Sequence, residues 1–281
     1  MSSDAIPSWP KVQFETMFPW EIAEAMAKAP LAYQPLGTLE WHGEHNAVGL
    51  DSIKAHAVCV RAAQRSGGLV LPPLYWAADS REDLPDGSYL TGGVEGGERY
   101  HVPGNMFWLR PETYYNLLLD LYESMRRRGF RAILVVTGHW SSGSLPTMRA
   151  SGEAFTRAHP EMRWRLLMDR ELIGADERVA GLPYPHEHAA GGETSLLMAI
   201  RPDLVDLSKT LETDHSLRKY YTGQPDHLKR RAETNYKYIG VLRGVGDETN
   251  DPELSASVER GKALLDLIAQ RLANEAKALL A

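Results

Sequence analysis

Arg131-Ala132-Ile133-Leu134-Val135-Val136-Thr137 is an apolar run that ends directly in Gly138-His139. Such a run, with no polar alternation, reads as a strand buried on both faces, the pattern of a parallel sheet covered by helices. Working outward, Pro111 to Arg128 has helical spacing. A proline opens it, and Arg126, Arg127 and Arg128 close it, where cations suit the helix dipole. Leu145 to Ala158 reads as the next helix and Trp164 to Met168 as the next strand. Upstream, helices at Pro19–Ala29 and Ser52–Arg65 alternate with strands at Tyr33–Leu39 and Leu69–Leu71, and Gly67-Gly68 stops the second helix. A helix from Ser255 to Leu280 closes the chain. Strands alternating with helices predict an α/β fold with a mostly parallel central sheet. No repeat or linker is visible, so residues 1–281 read as one domain. Residues 1–12 read as an N-terminal arm, and 205–250 as an excursion that contacts a neighbouring subunit. Residues 79–105 form an irregular stretch long enough to suggest a loop near the site.

Composition narrows the function classes. Apolar residues make up 43% of the 281, and the net charge is −6. That balance fits a folded protein without the basic stripe of a nucleic-acid-binding body. The single cysteine, Cys59, sits in an apolar helical stretch and reads as core. A lone cysteine suits a reducing, cytoplasmic setting. No signal peptide and no apolar stretch of about 18 residues is visible, so no membrane partner is expected.

Three clusters carry chemistry. Glu40-Trp41-His42-Gly43-Glu44-His45, followed by Asp51, packs imidazoles and carboxylates together behind a strand. Zn²⁺ and Mn²⁺ take this mix of N and O ligands, and the carboxyl edge of an open α/β sheet is where ligands bind. Asp51 also suits the start of the following helix. His139 leaves the buried strand at the same edge, in Thr137-Gly138-His139-Trp140-Ser141-Ser142-Gly143. The third cluster is His186-Glu187-His188-Ala189-Ala190-Gly191-Gly192-Glu193-Thr194-Ser195, in which Glu193 opens a helix and His188 and Glu187 are candidates for proton transfer. Gly92-Gly93-Val94-Glu95-Gly96-Gly97 lacks the Gly-Lys-Ser/Thr ending of a phosphate loop, and Ser141 lacks the Gly-x-Ser-x-Gly setting of a nucleophile.

Together the clusters resemble the creatininase family of amidohydrolases. Its pattern of Glu-x-His-Gly-x-His with an Asp eleven residues after the Glu is present as Glu40, His42, Gly43, His45 and Asp51. Gly129-Phe130, a Val/Ile-rich strand and Gly138-His139 match the second element, and His188 through Ser195 match the third. The resemblance implies a three-layer α/β/α sandwich and two divalent metal ions per subunit, Zn or Mn, with Fe also compatible. Asp51 would bridge them, Glu40 and His139 would complete one site, and His42 and Glu193 would serve the other. It also implies a homo-oligomer, often a hexamer, and cleavage of C–N bonds in small amides or lactams. Departures fall around the substrate. Ser141 stands where creatininase itself has a carboxylate, and Ser142 and Thr137 stand at positions usually held by Asn. These changes argue against creatinine as substrate.

Two metals close together activate a water and polarise a carbonyl. His188 would protonate the leaving group, assisted by Glu187 or His186. Trp140, Ser141, Tyr75, Asp79, Trp108 and His186 are the candidates for contact with a small polar or planar substrate. An alternative within this chemistry is hydrolytic C–C cleavage of a cyclic diketone such as a diketo-inositol. A second alternative is a non-catalytic metal- or ligand-binding subunit. A Rossmann-type cofactor enzyme would need a Gly-x-Gly-x-x-Gly turn after the first strand, and none is present.

Overall fold

The structure is a computed structural model. It describes residues 11–78, 81–83, 89–91, 108–139, 141, 143–173, 178–183, 188–212, 242–243 and 251–281. A four-stranded parallel sheet forms the middle layer. Its strands are β1 (Leu31–Leu36), β2 (Leu69–Val70), β3 (Ala132–Thr137) and β4 (Arg163–Met168), in spatial order β2-β1-β3-β4. Ala132–Thr137 of the apolar run is thus a central strand, flanked by β1 and β4 and fully buried.

Alternation along the strands assigns the two outer layers. Leu31, Tyr33, Leu134 and Val136 pack into one core with Val58, Cys59 and Ala62 of helix α2 (Leu50–Ser66), Leu196 of α5 (Gly191–Ile200) and Leu264, Leu265, Ile268 and Leu272 of α6 (Val258–Leu280). Ala32, Leu36, Ile133 and Val135 point the other way. They meet Tyr114, Leu118, Tyr122 and Met125 of α3 (Pro111–Arg127) and Met148 and Phe155 of α4 (Ser144–Ala158). Each such buried aliphatic or aromatic side chain contributes roughly 1.5–3 kcal/mol relative to exposure, so two-sided burial of β1 and β3 dictates the α/β/α sandwich. Burial also pushes the Cys59 thiol up, in keeping with a core role.

Several boundaries move. Strand β1 lies at Leu31–Leu36, short of the expected Leu39, because Gly37 turns its N–H to the Leu74 carbonyl and leaves the ladder. The closing helix is broken. A single turn at Pro252–Ser255 is followed by α6, whose N-cap Ser257 accepts the Arg260 N–H through Oγ. Helix α1 (Pro19–Lys28) is as expected. The end of the expected arm is ordered on the sheet: Val12 is buried and its carbonyl accepts the Val70 N–H at 2.7 Å. Within 79–105, residues 81–83 and 89–91 pair as short antiparallel strands, so this stretch is not wholly irregular. Ala77–Ala78 pair in parallel with Trp108–Leu109. Of the expected 205–250 excursion, Val205 bridges Asn46, Leu207–Lys209 form a 3-10 turn, and residues 211–212 pair with 242–243; residues 213–241 and 244–250 lie outside the described residues, as do residues 1–10. Among the described residues, no helix is long and apolar enough to cross a membrane.

Candidate metal centre

The register of β1 on β3 places Leu36 beside Thr137, and Thr137 lies beside Met168 of β4. Three strands therefore end at one level. The chain beyond each carries a chemical group: Glu40 and His42 after β1, His139 after β3, Asp169 after β4. Helix α2 then brings Asp51 over this edge in its first turn, where a carboxylate is favoured by the helix dipole. Its N-cap position belongs to Gly49. Two glycines permit the approach. A Cβ at Gly37 would meet Ser52 N at 2.4 Å, and one at Gly138 would meet the Asp51 carbonyl oxygen at 2.3 Å. The turn holding His139 is tied by Thr137, whose Oγ1 donates to the His139 carbonyl and accepts the His139 N–H.

Two donor groups converge on Asp51. In one, His139 Nδ1 lies 3.0 Å from Glu40 Oε2 and 3.3 Å from Asp51 Oδ2. In the other, His42 Nε2 lies 3.3 Å from Asp51 Oδ1 and 3.9 Å from Glu193 Oε2. Within each of the sets Glu40–Asp51–His139 and His42–Asp51–Glu193, one ligand-type atom per residue lies within 4.8 Å of the others. Asp51 thus turns one oxygen to each set. His42 donates from Nδ1 to the Glu40 carbonyl at 3.0 Å, which leaves the Nε2 lone pair facing the carboxylates. His42 Nε2, in one set, and Asp51 Oδ2, in the other, are buried without a hydrogen-bond partner, a state that a cation in each set would relieve. Carboxylate oxygens with neutral imidazoles suit Zn²⁺ or Mn²⁺, so the residues present fit a pair of such ions.

The electrostatics are those of a buried charge cluster. For His139, burial is outweighed by the Glu40 and Asp51 carboxylates, which hold the imidazole well above its usual range. For His42, burial is outweighed by Asp51 and Glu193, and the net direction is also upward. Asp51 is held well below the carboxylate range, because His42, Lys54 and His139 outweigh burial. Glu193 is lowered by Lys54 and His42 against burial.

Lys54 and Asp169 are the members that sequence reasoning missed. The Lys54 ammonium is fully buried. It pairs with Glu193 Oε1, lies 3.5 Å from Asp51 Oδ1 and 3.3 Å from Asp169 Oδ2. Burial, with Glu193 and Asp51 nearby, pushes Asp169 up to about 6 although Lys54 opposes the shift. Both residues had a signal. Lys54 is three residues after Asp51 on one helix, and so on its face, and Asp169 directly follows a strand that ends at the site's edge.

The remaining expected residues are distributed as follows. His188 packs against His42, with ring centroids 4.3 Å apart and ring planes tilted by 31°, donates from Nε2 to the Trp41 carbonyl at 2.6 Å, and places Nδ1 4.0 Å from Glu40 Oε2. His45 belongs to neither donor set. Its Nε2 lies 3.3 Å from both the Ala189 carbonyl and Thr194 Oγ1, tying the first cluster to the third. Ala189 adopts a left-handed φ of 55°, uncommon for a residue with a Cβ, which lets its N–H reach Glu193 Oε2 at 2.8 Å. Ser141 accepts the Ser144 N–H at 3.0 Å and so closes the start of α4. Tyr75 is half-buried, with its ring close to Gly49, and Trp108 lies in a short strand. Asp79, Trp140, His186 and Glu187 lie outside the described residues.

Comparison with known proteins agrees with this arrangement. The family model described as creatinine amidohydrolase, creatininase, matches residues 15–276. A creatinine amidohydrolase of Pseudomonas putida is 25% identical over 249 residues, covering 85% of this chain and 86% of that protein. A crystal structure of a creatininase superposes with a TM-score of 0.71 at 22% identity, over 96% of this chain and 98% of that one. A creatininase structure described as the Mn form gives 0.70 at 22% identity, over 96% and 99%. With the motifs in order, the donor groups gathered at one sheet edge, and the family model spanning nearly the whole length, this chain belongs to the creatininase family.

Proposed function

We propose that this protein is a two-metal hydrolase of small carbonyl compounds, with C–N cleavage of an amide or lactam as its reaction. The observation that carries the reading is Asp51, buried and turning one oxygen to His139 and the other to His42. Glu40, Asp51 and His139 would hold one ion, and His42, Asp51 and Glu193 the other. Solved relatives include a manganese form and a Zn–Zn form, which supports either metal here. When bound, such a pair supplies an activated water and a polarised carbonyl.

The protein's own groups do the rest. The Glu40 carbonyl fixes the His42 tautomer, and Thr137 fixes the His139 turn, so both imidazoles are pre-oriented. His188, with its Nε2 proton committed to the Trp41 carbonyl, turns Nδ1 toward Glu40 and the site. That nitrogen would accept a proton as the water attacks and return it to the leaving nitrogen. Glu187 and His186, its neighbours in sequence, are proposed to assist it. Trp140, Ser141, Tyr75, Asp79 and Trp108 are proposed to face the substrate. The serine that closes α4 where creatininase has a carboxylate supports a substrate other than creatinine.

The test is an activity panel of small amides, lactams and cyclic diketones, run on protein stripped by a chelator and then reloaded with Mn²⁺ or Zn²⁺. The expected result is release of amine or ammonia that is abolished by stripping and restored by the metal. Hydrolysis untouched by the chelator contradicts the reading, and metal-dependent acid formation without amine replaces C–N by C–C cleavage.

A further inference from the structure

The buried ammonium of Lys54 is placed unevenly within the acidic cluster. It pairs with Glu193 and lies 3.5 Å from Asp51 Oδ1, and so shares two members of the His42–Asp51–Glu193 set. Its approach to Asp51 is on the oxygen that faces His42, not on Oδ2, which faces His139. Asp169 Oδ2, 3.3 Å away and in neither donor set, also pairs with it. The stem is confined as well. It runs over Gly138, where a Cβ would stand 2.9 Å from Lys54 Cε, and the side chain is 2% exposed.

We infer that Lys54 is a resident cation that competes electrostatically with the metal at the His42–Asp51–Glu193 position and makes that position the weaker of the two. The inference rests on the two-metal reading above. A divalent ion entering among His42, Asp51 and Glu193 meets a fixed positive charge that already engages the same carboxylates. Repulsion between close like charges is strong where water is excluded. Lys54 also compensates the carboxylates in the metal-free protein, so that state gains less from taking up an ion. Both effects weaken the same position. The Glu40–Asp51–His139 position meets Asp51 through the oxygen turned toward His139, and is less affected.

The experiment is metal binding, with no activity readout. Full-length wild type, Lys54→Met and Lys54→Arg are stripped, dialysed against graded Mn²⁺ alone, and counted for bound metal per chain. Wild type and Lys54→Arg should fill one position tightly and a second more weakly. Lys54→Met should tighten the second at least tenfold and leave the first within threefold. A second-site affinity that is unchanged or weaker in Lys54→Met overturns the inference while leaving the two-metal reading standing. Wild type that binds no second ion at any concentration refutes the two-metal reading itself. If Lys54→Met folds poorly, Lys54→Gln is measured in its place, with the Mn²⁺-induced rise in melting temperature as a second readout. That rise should exceed the wild-type rise, and an equal or smaller one counts against the inference.

Discussion

Asp51 and His45 lie in the same motif and do different work. Asp51 is central to both donor sets, so Asp51→Asn should lower activity at least about 100-fold and reduce bound metal per chain, read by elemental analysis of purified protein. His45 is a structural tie. Burial pushes its imidazole down to about 4 from an ordinary 6.5, and it stays neutral while facing the Ala189 carbonyl. A group whose folded value is depressed contributes stability that is full above pH 6.5 and is lost as the pH falls toward 4. Wild type should therefore lose about 2 kcal/mol more than His45→Gln between pH 7 and pH 4.5. Denaturant unfolding of metal-free protein at both pH values checks this, and equal losses would remove His45 from the account. The acidic and histidine-rich motifs made Glu40, His42, Asp51 and His139 legible in the sequence. Lys54 was not, because a single lysine among the apolar positions of a helix reads as a surface residue until Asp51, Asp169 and Glu193 are seen around it.

At the scale of elements, period and punctuation were legible and chain breaks less so. The unbroken apolar run of β3 and the proline-opened α3 stand where their patterns put them. The split before α6 was hidden, because Ser255 and Ser257 are both competent caps and only the Ser257 Oγ to Arg260 N–H bond shows which one starts the long helix. The end of β1 was hidden for a similar reason: Thr38 and Leu39 suit a strand, but the Gly37 N–H goes to Leu74. One contact between elements is testable. A Cβ at Gly152 of α4 would fall 2.1 Å from the Trp164 ring on β4, too close for a real contact. Gly152→Ala should destabilise the fold by about 1–3 kcal/mol through overpacking, despite the better helix propensity of alanine. Urea unfolding reads the loss, and metal content per folded chain should stay at the wild-type value because the contact lies away from the donor sets.

At the scale of the whole molecule, the sheet edge organises everything. Three parallel strands end level, the chain beyond each delivers part of one acidic and imidazole cluster, and α2 and α5 close over it with Asp51 and Glu193. Ions that bind this folded cluster should stabilise the entire sandwich. At free metal about 100 times the dissociation constant, linkage amounts to about 2.7 kcal/mol for one site. The melting temperature should rise on adding Mn²⁺ or Zn²⁺ to stripped protein, and should rise less in Asp51→Asn. The most direct test of the central claim is anomalous diffraction from crystals of Mn²⁺-loaded protein. It should show two peaks, one within about 2.2 Å of each Asp51 carboxylate oxygen, with Glu40 and His139 around one and His42 and Glu193 around the other. A single peak, or peaks that do not touch Asp51, would contradict the account.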